Sequence, residues 1–178
     1  MNPRSISEIL QITRTNDYFK KLKQLRLPSD KYFLFGSAPL FIVGIIDEIN
    51  DLDIIALDDA WELAKLLGSR EISDLGGKQI RVFGDPKIEI FPDIRPGDWD
   101  LKKVLSRSLL FNGINFANIT SVFRWKTLYN REKDRDHLKF INEYLLNHED
   151  HFKMLVEHTK REISEIIRQY QLPPGLRN

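Results

Sequence analysis

The chain has 178 residues, 27 Lys plus Arg against 26 Asp plus Glu, 42% hydrophobic residues and no cysteine. That length buries one ordinary core and excludes a disordered or collagen-like chain, and the missing cysteines exclude a disulfide frame, Cys-ligated zinc and a thiol nucleophile. No apolar run approaches the roughly 20 residues of a membrane helix, and the opening MNPRSISEIL has no signal-peptide core, so a soluble, cytoplasmic protein without a membrane partner is expected.

The net charge of +1 hides an uneven distribution. Residues 1–44 carry 7 basic and 3 acidic groups, residues 45–100 carry 6 and 14, and residues 101–178 carry 14 and 9, giving +4, −8 and +5. Surface charge alone explains such a pattern about as well as a site does.

From Ser5 to about Arg26 the apolar residues Ile6, Ile9, Leu10, Ile12, Tyr18, Phe19, Leu22 and Leu25 recur at helical steps, predicting one helix or two. Tyr32–Phe35 reads as a buried strand. Gly36-Ser37 follows it, and Pro39 suits the first turn of a helix opened by Ser37. Asp51–Leu57 is strand-like, and Asp59-Ala60-Trp61-Glu62 has the spacing of a capping box for a helix through Leu67. Arg70–Asp74, Gln79–Phe83 and Lys87–Phe91 read as strands, separated by Gly76-Gly77 and Gly84-Asp85-Pro86. From Asp100 onward the pattern is helical, over about 100–109, 119–130, 134–146 and 149–170, with a frayed tail at Pro173-Pro174-Gly175. The fold class is therefore α/β or α+β, with a helical C-terminal third.

The chemistry is concentrated in Gly36-Ser37, Asp51-Leu52-Asp53 and Glu89. Residues two apart in a strand share a face, so Asp51 and Asp53 present carboxylates about 7 Å apart while Leu52 faces the core. Two hard oxygen ligands suit Mg²⁺, and a third carboxylate from a neighbouring strand completes the site or takes a proton from an attacking hydroxyl. A strand ending in glycine lets phosphate approach the backbone, where the N–H groups of the next helix point at it.

With these residues the chain resembles the nucleotidyltransferase superfamily of the DNA polymerase β-like fold. The resemblance is to the branch of small antibiotic nucleotidyltransferases and abortive-infection toxins. That branch has a strand ending in Gly-Gly or Gly-Ser, an Asp-x-Asp strand and a later single carboxylate, the places of Gly36, Ser37, Asp51, Asp53 and Glu89. Its Leu-x-x-x-Lys helix and Arg-x-Lys-Asp motif correspond to Trp125-Lys126 and Arg131-Glu132-Lys133-Asp134-Arg135-Asp136. Serine replaces the second glycine, Glu89 stands where Asp is more frequent, Glu132 replaces a usual proline, and Asp136 follows Asp134 by two residues instead of three.

The resemblance spans about residues 31–146. It implies a mixed sheet flanked by helices, with a core and N-terminal helix over 1–98 and a helical region packed on it over 99–178. It also implies two Mg²⁺ ions held by Asp51, Asp53 and Glu89, and a nucleoside triphosphate such as ATP held by Gly36, Ser37, Lys126 and Lys133, with Asp134 and Asp136 as secondary candidates. The expected activity is transfer of a nucleoside monophosphate to a hydroxyl acceptor, either a small molecule such as an antibiotic or tRNA or protein. The rival expectation is a non-catalytic nucleotide-binding or toxin–antitoxin module, with an antitoxin as partner.

Other readings of the same residues stay open at this level. Asp51 also fits a turn cap after Asn50, Glu89 an exposed strand position, and Asp93 the third acid; Asp58, Asp59 and Glu62 read as helix-start residues. Lys126, Lys133, Asp134 and Asp136 equally fit salt bridges and caps. Arg131 and His137 have the loose spacing of helical ribonucleases, and His148, His151 and His158 read as solvated surface histidines. Walker, dinucleotide-binding and nucleophile-elbow motifs are missing.

Overall fold

The computed structural model describes residues 2–73, 76–84 and 87–171. Asp74, Asp85-Pro86 and the tail Pro173-Pro174-Gly175, all singled out in the sequence, lie outside the described residues.

The N-terminal periodicity resolves into two helices, α1 (Ile6–Thr15) and α2 (Asp17–Gln24). Ser5 and Glu8 form a reciprocal capping box on α1, and the Asn16 side chain accepts from the Tyr18 N–H to start α2. Their buried residues, Ile9, Phe19 and Leu22 among them, join the core. Phe19 packs edge-on against Phe116 with ring centroids 5.6 Å apart.

A seven-stranded sheet is built from β1 (Tyr32–Leu34), β2 (Asp51–Ala56), β3 (Ser69–Ile72), β4 (Lys78–Gly84), β5 (Lys87–Phe91), β6 (Leu109–Phe111) and β7 (Ile114–Phe116). Their spatial order is β3-β4-β5-β2-β1-β7-β6. Central strand β2 runs antiparallel to β1 and parallel to β5, with Asp53 opposite Glu89. Parallel neighbours in exact step put same-face side chains side by side, and this register joins two acids 36 positions apart in the sequence.

Between β1 and β2 runs α3 (Ala38–Val43), all six residues of which are buried, ending at Gly44 in the left-handed region. Next comes α4 (Asp58–Leu67), and here the expected capping box does not form. Leu57 is the N-cap and makes no side-chain cap bond, while Glu62 pairs with Lys65 instead. The remaining helices are α5 (Leu101–Ser106), α6 (Ile119–Tyr129), α7 (Arg135–Asn147) and α8 (Glu149–Gln171), with a single 3₁₀ turn, Glu132–Asp134, before α7.

Among the described residues the C-terminal part is helical apart from one hairpin. Residues 109–116 form the β6–β7 hairpin, which adds two strands to the sheet beside β1. Its turn residues Asn112 and Gly113 both have positive φ, 50° and 74°, the geometry that Asn-Gly supplies in a two-residue hairpin. Helix α8 clasps this hairpin: Thr159 accepts from the Leu110 N–H, and the Glu162 carboxylate accepts from the N–H groups of Asn112 and Gly113.

His151 and His158 are part-buried and engaged rather than free surface histidines. His151 Nε2 lies 2.8 Å from the Arg4 carbonyl, a contact in which it donates, leaving Nδ1 to accept from the Tyr144 hydroxyl at 2.7 Å. His158 stacks on Phe111 with 15° between the rings, and His148 packs beside Tyr144. The apolar ring faces find core surface because α8 lies against the hairpin and α7.

Candidate functional site

The site begins where β1 ends. Leu34 and Phe35 continue alongside β2, the Phe35 N–H donating to the Asp53 carbonyl at 2.9 Å, and the chain then turns sharply at Gly36 with φ +61°. A Cβ on Gly36 would lie 2.2 Å from Asp53 Oδ2, so no other residue fits without moving that carboxylate. Ser37 follows at the edge of the same cleft and makes no side-chain cap bond to α3. With six residues, α3 contributes little dipole, and the glycine approach is the stronger feature.

In β2 the burial pattern alternates as expected, with Leu52 buried and Asp51 and Asp53 part-exposed toward the cleft. Glu89 joins them from β5, and ligand oxygens of Asp51, Asp53 and Glu89 all lie within 4.8 Å of one another. These three carboxylates form a cluster able to hold a metal ion. The donor set is entirely oxygen, which suits a hard cation such as Mg²⁺, and the bare backbone at Gly36 leaves the Asp53 carboxylate accessible.

Although Asp53 keeps part of its surface open to the cleft, desolvation by the surrounding cleft floor, followed by repulsion from Asp51 and Glu89, pushes its carboxyl up to about 7, with Lys87 and Lys126 partly offsetting the rise. Its carboxylate has no hydrogen-bond or ion-pair partner among the described residues. Glu89 differs sharply. One oxygen accepts from Gln79 Nε2 at 2.9 Å and from an Arg81 terminal nitrogen at 3.1 Å, and the other pairs with Lys87 Nζ at 2.9 Å. Asp93 does not belong to the cluster and pairs with Arg95 on the cleft rim.

The cleft over this floor encloses about 580 Å³. Its opposite wall comes from α6 and the turn that follows. Lys126 is 1% exposed, and its ammonium donates to Asp134 Oδ1 at 2.5 Å, while Arg131 donates to Asp134 Oδ2 at 2.5 Å. Burial lowers the Lys126 pKa, and the Asp134 bond works against that shift. Arg131 also lies over the Tyr129 ring at 4.1 Å. The wall is fixed by Trp125, which packs on Phe35 and donates its indole N–H to the Arg95 carbonyl at 2.7 Å.

Of the predicted residues, Gly36, Ser37, Asp51, Asp53, Glu89, Lys126, Lys133 and Asp134 all line this cleft. Asp136 is exposed on the first turn of α7 and is not among the lining residues. Arg131 and His137 also line it, with the His137 pKa lowered by burial and then by Lys126. Sequence reasoning missed Gln79, Arg81 and Lys87, the three partners of Glu89. The signal was present, since Gln79 and Arg81 alternate along β4 as Lys87 and Glu89 do along β5.

No protein-family model and no curated protein matches the chain. Among solved structures it is similar to the crystal structure of JHP933 from Helicobacter pylori, at a TM-score of 0.42 and 17% identity over 85% of this chain and 76% of that one. A likeness at that level defines neither the fold nor the activity of this chain. Among the described residues no helix is long and apolar enough to cross a membrane.

Proposed function

We propose that the protein is a Mg²⁺-dependent nucleotidyltransferase, moving a nucleoside monophosphate from a nucleoside triphosphate to an acceptor hydroxyl. The observation that carries this reading is the Gly36–Asp53 approach at the floor of the cleft, with Asp51 and Glu89 alongside. Bound Mg²⁺ supplies neutralisation of the charge on phosphoryl oxygens. Asp51 and Asp53 hold it, and Glu89 holds a second ion or takes the hydroxyl proton. Gly36 and Ser37 give phosphate a close approach to backbone, and Lys126, Arg131 and Lys133 face it from the opposite wall. The acceptor oxygen bonds to the α-phosphorus as the bond to the β-phosphate oxygen breaks, and pyrophosphate leaves.

The acceptor is a small hydroxylated molecule or a tRNA or protein, and the rival reading is a nucleotide-binding half of a toxin–antitoxin pair. The saturation of Glu89 by Gln79, Arg81 and Lys87 is what favours that rival. Labelled nucleoside triphosphates incubated with separate pools of tRNA, aminoglycosides, lincosamides and cell proteins distinguish the two. Label in one pool with pyrophosphate released supports transfer; magnesium-dependent triphosphate binding without release supports the binding module.

A further inference from the structure

A lysine lies between two acids of the cluster. Lys87 opens β5 on the face that carries Glu89, and its Nζ lies 2.9 Å from Glu89 Oε2 and 3.9 Å from Asp51 Oδ2. It therefore bonds one of the three carboxylates and lies within ion-pair range of a second. The third, Asp53, has no such partner among the described residues. Gln79 and Arg81 both occupy Glu89 Oε1, so among the described residues Oε2 is left without a β4 donor and is the oxygen that Lys87 holds.

The two basic partners of Glu89 are not equivalent. Arg81 is shared between Glu89 and Glu71, at 3.1 and 3.0 Å, which fixes its planar head between two strands. Lys87 is exposed to about the same degree as Arg81, 37% against 41%, but it has a single carboxylate within hydrogen-bond distance and a flexible four-carbon stem beside the cleft. A divalent cation held at Asp51 and Asp53, or a second one at Glu89, would have to displace the ammonium from those oxygens, since like charges repel at a shared ligand.

We propose that Lys87 is a built-in counter-ion that competes with the divalent cation for Asp51 and Glu89, so that metal binds tightly only together with a polyanion, the nucleoside triphosphate, that receives the displaced ammonium. The inference rests on the metal reading given above. It accounts for the saturation of Glu89 as a resting state rather than a loss of function, and it makes Lys87 a positioning residue for metal and nucleotide together.

The test is titration of the full chain with Mn²⁺ alone, followed by the electron paramagnetic resonance signal of free Mn²⁺, for the wild type, Lys87→Met, Lys87→Gln, Lys87→Arg and Asp51→Asn/Asp53→Asn. Melting curves confirm that each variant is folded. Both neutral variants are expected to bind Mn²⁺ about tenfold more tightly than the wild type, Lys87→Arg to stay near the wild type, and the gap to close when a non-hydrolysable nucleoside triphosphate is present. Equal or weaker Mn²⁺ binding by both neutral variants overturns the role of Lys87 while leaving the metal site standing. Unchanged Mn²⁺ binding by the double aspartate variant overturns the metal site itself.

Discussion

Gly36 and Asp53 meet so closely that a single added carbon at position 36 would lie 2.2 Å from the Asp53 carboxylate. Two separate constraints fix the residue: φ of +61°, which only glycine adopts freely, and contact with the acid of the cluster that has no partner among the described residues. Gly36→Ala is expected to lower stability by about 1–2 kcal/mol in urea denaturation. It is also expected to displace Asp53 and abolish Mn²⁺ binding in the same preparation. An alanine variant that binds metal as the wild type does would contradict this placement.

Asp53 also predicts a pH dependence. Its carboxyl keeps a proton up to about pH 7 in the metal-free protein, whereas an unfolded aspartate loses its proton near pH 4. Between those values the native chain holds a proton that the unfolded chain has lost, so this group's contribution to stability falls as pH rises from about 4 to about 7 and is level above. Asp53→Asn lacks that fall. In metal-free urea titrations it should match the wild type near pH 4 and exceed it by a few kcal/mol at pH 8.

The buried pair in the opposite wall responds differently to removal of each partner. Asp134→Asn leaves the Lys126 ammonium buried with no carboxylate and frees Arg131, and is expected to cost about 3–5 kcal/mol. Lys126→Met leaves Asp134 still paired with Arg131 at 2.5 Å, so a smaller loss follows. It should nevertheless weaken triphosphate binding, measured by calorimetry, because the cleft loses a cation. Equal destabilisation by the two variants would show that Arg131 does not compensate.

Far from the cleft, His151 joins the N-terminal segment to α7 and α8 through Arg4 and Tyr144. His151→Ala removes both bonds and strands a part-buried hydroxyl, a loss of about 1–3 kcal/mol, with nucleotide binding unchanged. A fall in nucleotide affinity at equal stability would tie this end of the molecule to the cleft.

Much of the site was legible in the sequence because it depends on local periodicity. The alternation Asp51-Leu52-Asp53 placed two carboxylates on one face, and Gly36 at the end of an apolar run placed a turn beside them. Pairing was not legible, since which strand neighbours β2 depends on contacts across the whole chain; Glu89 was expected there on resemblance, and the register Asp53–Glu89 supplies the physical reason. The β6–β7 hairpin was missed although Asn112-Gly113 between Phe111 and Ile114 is a strong turn signal. Its strands are three residues each, too short to stand out against flanking helices. The histidines of α8 were misjudged because a helical pattern does not reveal that a hairpin covers its face.

Pyrophosphate release is the most direct measure of the proposed transfer chemistry at Asp51, Asp53 and Glu89. With Mg²⁺, a nucleoside triphosphate and the acceptor pool that takes label, the wild type should release pyrophosphate in step with labelled product. Asp51→Asn/Asp53→Asn, folded by melting curve, should lose about three orders of magnitude or more in rate. An unchanged rate in the double variant, or triphosphate binding by the wild type with no release from any pool, would contradict it.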